Sequence, residues 1–150
     1  MGFGEAVRSV FSNYATFSGR ARRAEYWWFV LFNIIGSAIT GTLDYILFGG
    51  TVVETIDSVA VVIENSPLNA LFGLLVFLPG LSVTVRRLHD VGRSGWWFWI
   101  ILIPLVGFIL LLYWTIRRGD VGPNQYGPDP ITDGGYDGYG GSSVPRVPRS

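Results

Sequence analysis

Two long apolar runs placed on either side of a short basic connector constrain this chain more than any other feature. The connector is RRLHDVGRSGWWFW, residues 86–99. Before it runs LNALFGLLVFLPGLSVTV, residues 68–85, and from its last tryptophans runs WWFWIILIPLVGFILLLYWTI, residues 96–116. As a helix, the 21 residues of the second run reach about 31 Å, which matches the hydrocarbon core of a bilayer. Charged residues are 15% and hydrophobic residues 49% of the 150-residue chain, against roughly 25% charged in ordinary globular domains. A soluble domain this small has too much surface for its volume to hide that much apolar material. The pattern is that of an integral membrane protein.

Residues 26–48 supply another apolar run, long enough to span with a modest tilt. The spacing therefore predicts an all-α fold, a small polytopic bundle with spans at 26–48, 68–85 and 96–116. Residues 1–17 place Phe3, Val7, Val10, Phe11 and Tyr14 on one helical face, as expected of an amphipathic helix lying in the interface. Ser18 is the expected cap before the first span. Within that span Asn33, Ser37 and Gly41 recur every fourth position, a small and polar seam suited to close helix contact. Asp44 follows near the far end; an intramembrane acid invites a functional reading, and a boundary role is the alternative.

Residues 49–67 carry Glu54, Asp57 and Glu64 and no arginine. Their valine density argues for a strand, while Val53, Ile56, Val59 and Ile63 have helical spacing. An interfacial amphipathic helix is the preferred expectation. Pro79-Gly80 should kink the second span, and Pro104 with Gly107 should flex the third. Residues 117–130 string together turn-forming dipeptides and read as a rigid cap. Residues 131–150, rich in Gly, Tyr and Pro, read as a disordered tail.

Charge sets the orientation. All eleven basic residues are arginine, and basic residues stay on the cytoplasmic side. Arg20, Arg22 and Arg23 precede the first span with Glu25 as local counter-charge. Arg86, Arg87 and Arg93 lie in the connector beside Asp90, which stands four residues after Arg86. Both clusters belong inside, with a cytoplasmic N-terminus. Trp96 and Trp97 then anchor the third span at that interface, Ser94 is a cap for it, and helix two should run on to Gly92. Three spans leave Arg117 and Arg118 outside, against the charge rule. A fourth crossing by residues 51–63 would bring the tail inside, with acids near lipid.

Three blocks resemble a known family. They are FSGRARRAEYWWFVLFNII (17–35), LPGLSVTVRRLHDVGRSGWWFWIILIPLVG (78–107) and GDVGPNQYGPDP (119–130). Together they are similar to a bacterial inner-membrane family catalogued as domain of unknown function 805, over about residues 10–130. The resemblance implies a small multi-span inner-membrane protein with no assigned reaction and no catalytic residue to carry over. It also marks Asn124 and Tyr126. If the third block folds against the connector, through Asp120 and an arginine and through Asn124 capping backbone, the tail lies inside and the crossings are even in number.

The function classes narrow accordingly. His89 is the sole histidine and cysteine is absent, so no metal or cofactor site and no catalytic nucleophile–base pair is expected. Nucleotide-binding and hydrolase motifs are missing, and an enzyme is not expected. The arginines flank spans and do not form one stripe, which argues against nucleic acid. The leading expectation is a structural or interaction module whose arginine-rich face meets anionic lipid headgroups, a membrane-protein partner or a second copy. The alternative is a small transporter or channel using Asp44, the Pro79 and Pro104 kinks and His89.

Overall fold

The computed structural model describes residues 1–55, 58–62 and 66–131, with 51–62 known by backbone alone. Its elements are α1 (Phe3–Ser12), α2 (Arg23–Phe48), β1 (Thr51–Thr55), β2 (Ser58–Val62), α3 (Pro67–Asp90), a 3₁₀ helix (Gly95–Leu102) and α4 (Val106–Ile116). Helices dominate, as expected. The expected tail lies outside the described residues apart from Ile131.

α2 and α3 are each long and apolar enough to cross a membrane. They pack side by side along a seam of small and polar residues. Gly36 lies directly under the Phe72 ring, where a Cβ would collide with it. One turn on, the Thr40 hydroxyl donates to Asn69 Oδ1 at 3.0 Å. A further turn on, Asp44 accepts from the backbone N–H groups of Leu68 and Asn69 at 3.0 and 2.8 Å. The working seam is thus Gly36, Thr40 and Asp44. The predicted stripe of Asn33, Ser37 and Gly41 lies next to it, and Asn33 donates to its own helix at Phe29 O, 2.8 Å. Asp44 is fully buried and does for α3 what an N-cap side chain does, satisfying first-turn N–H groups after Pro67. Ile34, Ile46, Leu74 and Phe77 are exposed, an apolar exterior suited to lipid.

Three expectations need correction. Residues 49–67 do not form an interfacial helix: β1 and β2 pair antiparallel, Thr51 opposite Val62 and Thr55 opposite Ser58. The β-branched density that argued for a strand prevails, because valine and threonine lose rotamer freedom against a helical turn. The first span also begins without Ser18, since α2 starts at Arg23 with Arg22 at the cap position.

The third correction matters most. Residues 96–116 are not one helix. The 3₁₀ segment ends at Leu102, α4 begins at Val106, and the chain reverses between them. Pro104 has no N–H to continue a helix. Leu105 sits at φ 63°, ψ −65°, and Val106 N–H donates to Pro104 O at 2.8 Å, the hydrogen bond of a tight γ-turn. Gly107 then comes so close to the Ile100 carbonyl that a Cβ would overlap it. Further back along the hairpin, the Trp97 and Trp114 rings meet edge to face at 5.5 Å. Eight residues of 3₁₀ helix and eleven of α-helix rise about 16 Å each, roughly half a bilayer core.

The buried core sits at the connector end of the molecule. One cluster joins Val10, Ala21, Phe29 and Val83 across α1, α2 and α3. The other joins Leu88, Val91, Leu111 and Trp114, tying the end of α3 to the hairpin. α1 is fastened by Ser82 of α3, whose hydroxyl reaches Asn13 O at 2.9 Å and Thr16 O at 2.7 Å. At its start the Gly2 N–H donates to Glu5 at 2.8 Å. That bond and the N-terminal charge hold the Glu5 carboxyl below its ordinary range.

Candidate functional site

The last turn of α3 carries Arg86, Arg87, His89 and Asp90, and all four are buried. α3 ends there because Gly92, at φ 70°, takes the left-handed conformation that closes a helix. Arg93 N–H donates to Leu88 O at 2.9 Å and Gly92 N–H to His89 O at 3.1 Å, the paired bonds of a Schellman cap.

Among the described residues, Arg87 is the largest fully buried side chain. It ion-pairs with Asp90 and donates to the Arg117 carbonyl. It also reaches Thr115 O at 3.1 Å and Trp114 O at 3.4 Å. These are carbonyls at the C-terminal end of α4, which an arginine suits in charge and geometry. Its position explains the return of the hairpin: both limbs finish where α3 finishes.

Asp90 is shared. Its other oxygen accepts from Arg20 Nε at 2.9 Å. Arg20 continues to Asp120 O at 2.5 Å, Gly122 O at 2.6 Å and Gly127 O at 3.4 Å. One guanidinium thereby joins the segment before α2, the end of α3 and the block after α4. Gly119 passes so close to Asp90 that a Cβ would fall inside its carboxylate.

The third block closes over the connector. Asp120 N–H donates to Asp90 O at 2.8 Å, and Asn124 Nδ2 to His89 O at 2.9 Å. The Tyr126 ring stacks on His89 at 4.0 Å, 1° from parallel, while His89 Nδ1 lies 3.1 Å from Gly19 O. Asn124 and Gly127 exchange backbone hydrogen bonds, and Asp129 accepts from Gly122 N–H at 3.0 Å. Asn124 caps backbone as anticipated. Asp120 departs from expectation, meeting Arg20 through its carbonyl and not its carboxylate.

Arg86 turns the other way. It pairs with Glu25 at 3.0 Å, and Ser9 of α1 donates to the same oxygen at 3.0 Å. Glu25 therefore serves Arg86, not the arginines beside it, and Asp90 serves Arg20 and Arg87, not Arg86 four residues earlier. Among the described residues, Arg86 Nε is buried without a partner.

Arg22, Arg23 and Arg93 stay outside this lock. Arg93 lies 5.9 and 5.4 Å from the Trp97 and Trp114 ring centres, a cation–π arrangement. Ser94 caps the 3₁₀ helix by accepting from Trp96 N–H at 3.4 Å, and Trp96 is 80% exposed. Ser9, Ser82 and the carbonyls of residues 114–117 were not anticipated. Serines carry no positional signal, and a carbonyl is present at every residue. Among the described residues no three His, Cys, Asp or Glu side chains assemble in a way that could hold a metal ion.

The residues of this lock lie within the stretch that a family model matches. The model of a family described as "Protein of unknown function (DUF805)" matches residues 14–128, which takes in α2, α3, the hairpin and the block that closes over them. The chain belongs to this family. Its relatives include the inner membrane protein YhaH of Escherichia coli K12, 41% identical over 125 residues, covering 81% of this chain and 92% of YhaH. The inner membrane protein YhaI of the same strain is 41% identical over 122 residues, with the same coverage of 81% and 92%. No solved structure matches. With its two long apolar helices, this family member is an inner-membrane protein.

Proposed function

We propose that the chain is a non-catalytic interaction module of the inner membrane, crossing it twice and presenting its remaining arginines to anionic headgroups of the cytoplasmic leaflet. The observation that carries this is the division of the arginines. Arg20, Arg86 and Arg87 are buried and paired inside the fold. Arg23, Arg93, Arg117 and Arg118 are exposed and Arg22 half-buried, all at the end of the molecule where α3 and the hairpin finish. Exposed arginines at a membrane surface attract anionic lipid by about 1 kcal/mol each.

Two crossings follow if α2 and α3 span and the 96–116 hairpin enters and leaves on one face. The N-terminus, connector and residues 117–131 then share the cytoplasmic side, where the charge rule wants them. α1, with its exposed Phe3 and Phe11, lies in that interface. A transport role loses its main support, because the Asp44 carboxylate is occupied in capping α3.

The chain has no cysteine, so an introduced one is the sole thiol. In intact spheroplasts Gly50→Cys should react with a membrane-impermeant maleimide and Gly140→Cys only after lysis. Reaction of Gly140→Cys before lysis would sink the two-crossing reading. Purified protein in nanodiscs should hold anionic phospholipid in preference to phosphatidylcholine by native mass spectrometry; equal retention would sink the lipid role.

A further inference from the structure

The exposed arginines are not equivalent. Where α2 leaves α4, a cavity of about 660 Å³ opens between Arg22, Arg23, Ala24 and Trp27 on one side and Ile116 and Ile131 on the other. A second cavity, of about 210 Å³, shares Ala24 and Trp27 and continues down α2 to Trp28 and Leu31. Together they form one groove with a cationic mouth and an apolar floor. Two long hydrogen bonds set its upper wall, Arg23 Nη1 to Ile116 O at 3.4 Å and Trp27 Nε1 to Thr115 O at 3.3 Å.

Among the described residues, no acid pairs with the mouth: neither Arg22 nor Arg23 forms an ion pair. Glu25, the acid of that first turn, is buried against Arg86. Glu5 is the acid that feels Arg22, and it is itself bonded to Gly2. No side chain caps the start of α2, so the positive end of its dipole adds to the two guanidinium groups. Trp27 and Trp28 sit just below, at the level where indole rings meet headgroups.

We propose that this groove seats one anionic phospholipid, its phosphate held by Arg22 and Arg23 and an acyl chain laid along Ala24, Trp27 and Leu31. The seat rests on the reading of the arginine face as lipid-facing and assigns it a defined position. Guanidinium groups suit phosphate because their forked donors bind two oxygens at once. The apolar floor distinguishes a lipid from free phosphate.

The test is native mass spectrometry of the full chain released from nanodiscs containing phosphatidylglycerol and phosphatidylcholine. Arg22→Gln with Arg23→Gln should weaken retention of a single phosphatidylglycerol roughly 30-fold, from two lost surface charges. Arg8→Gln with Arg146→Gln removes the same net charge and should leave that adduct in place. Ala24→Leu keeps both arginines but fills the groove and should also release the lipid, with the circular dichroism of the variant matching the parent. Equal losses from the two arginine pairs, retention in Ala24→Leu, or displacement of the adduct by millimolar inorganic phosphate would each overturn the seat. In those cases the preference for anionic nanodiscs survives; its absence in the parent protein would instead overturn the broader reading.

Discussion

Asp90 holds two buried guanidinium groups at once, Arg20 on one oxygen and Arg87 on the other. Burying a lone charge is costly, so removing the shared partner should cost more than removing a surface acid. Asp90→Asn, which preserves size, is expected to destabilise the protein by about 3 kcal/mol, read as a shift in a denaturant titration in mild detergent. A neutral result would mean that the carbonyls around the two arginines suffice. Gly119 tests the same point from outside. In Gly119→Val the side chain must displace the Asp90 carboxylate, and the block after α4 should become open to protease while α2 and α3 stay helical.

At the scale of elements, the hairpin made from residues 96–116 closes through a strained turn. Leu105 holds a positive φ that a branched side chain adopts only under strain, and its side chain is 78% exposed. Leu105→Gly should relieve that strain and stabilise the protein by about 1 kcal/mol, less whatever lipid contact the leucine makes. A loss of stability would show that the turn is held differently. Asp44 belongs at this scale too, since its carboxylate serves the start of another helix. Asp44→Ala should cost about 1 kcal/mol and raise amide exchange at Leu68 and Asn69, leaving the connector end untouched. Exchange spreading to the connector would contradict a local capping role.

For the whole molecule, Arg20 is the side chain that joins distant parts of the chain, reaching residues 70 to 107 positions away. It ties the segment before α2, the end of α3 and the block after α4 into one layer. Arg20→Met keeps much of the side-chain volume but removes every donor. It should release residues 117–131, seen as new cleavage there in limited proteolysis, without loss of helical signal from α2 and α3. Cleavage confined to the untreated pattern would mean that Asn124 and Tyr126 hold the block on their own.

Much of this was legible locally. Apolar length predicted α2 and α3. Gly92 predicted the end of α3, because that signal lies within a few residues of its effect. Composition and the three blocks determined the membrane class and the family. The hairpin at 51–62 was harder, since its valines satisfy both periods. Two matters belonged to the tertiary structure alone. Pro104 and Gly107 are compatible with a bent span or a full reversal, and the reversal depends on Arg87 gathering the carbonyls at the far end of α4. The pairing of the arginines could not be read either, because proximity along the chain favoured Glu25 for Arg20–Arg23 and Asp90 for Arg86. Folding instead sends Arg20 to Asp90 and Arg86 to Glu25, since a buried charge pairs with whatever carboxylate the packing of three helices brings beside it.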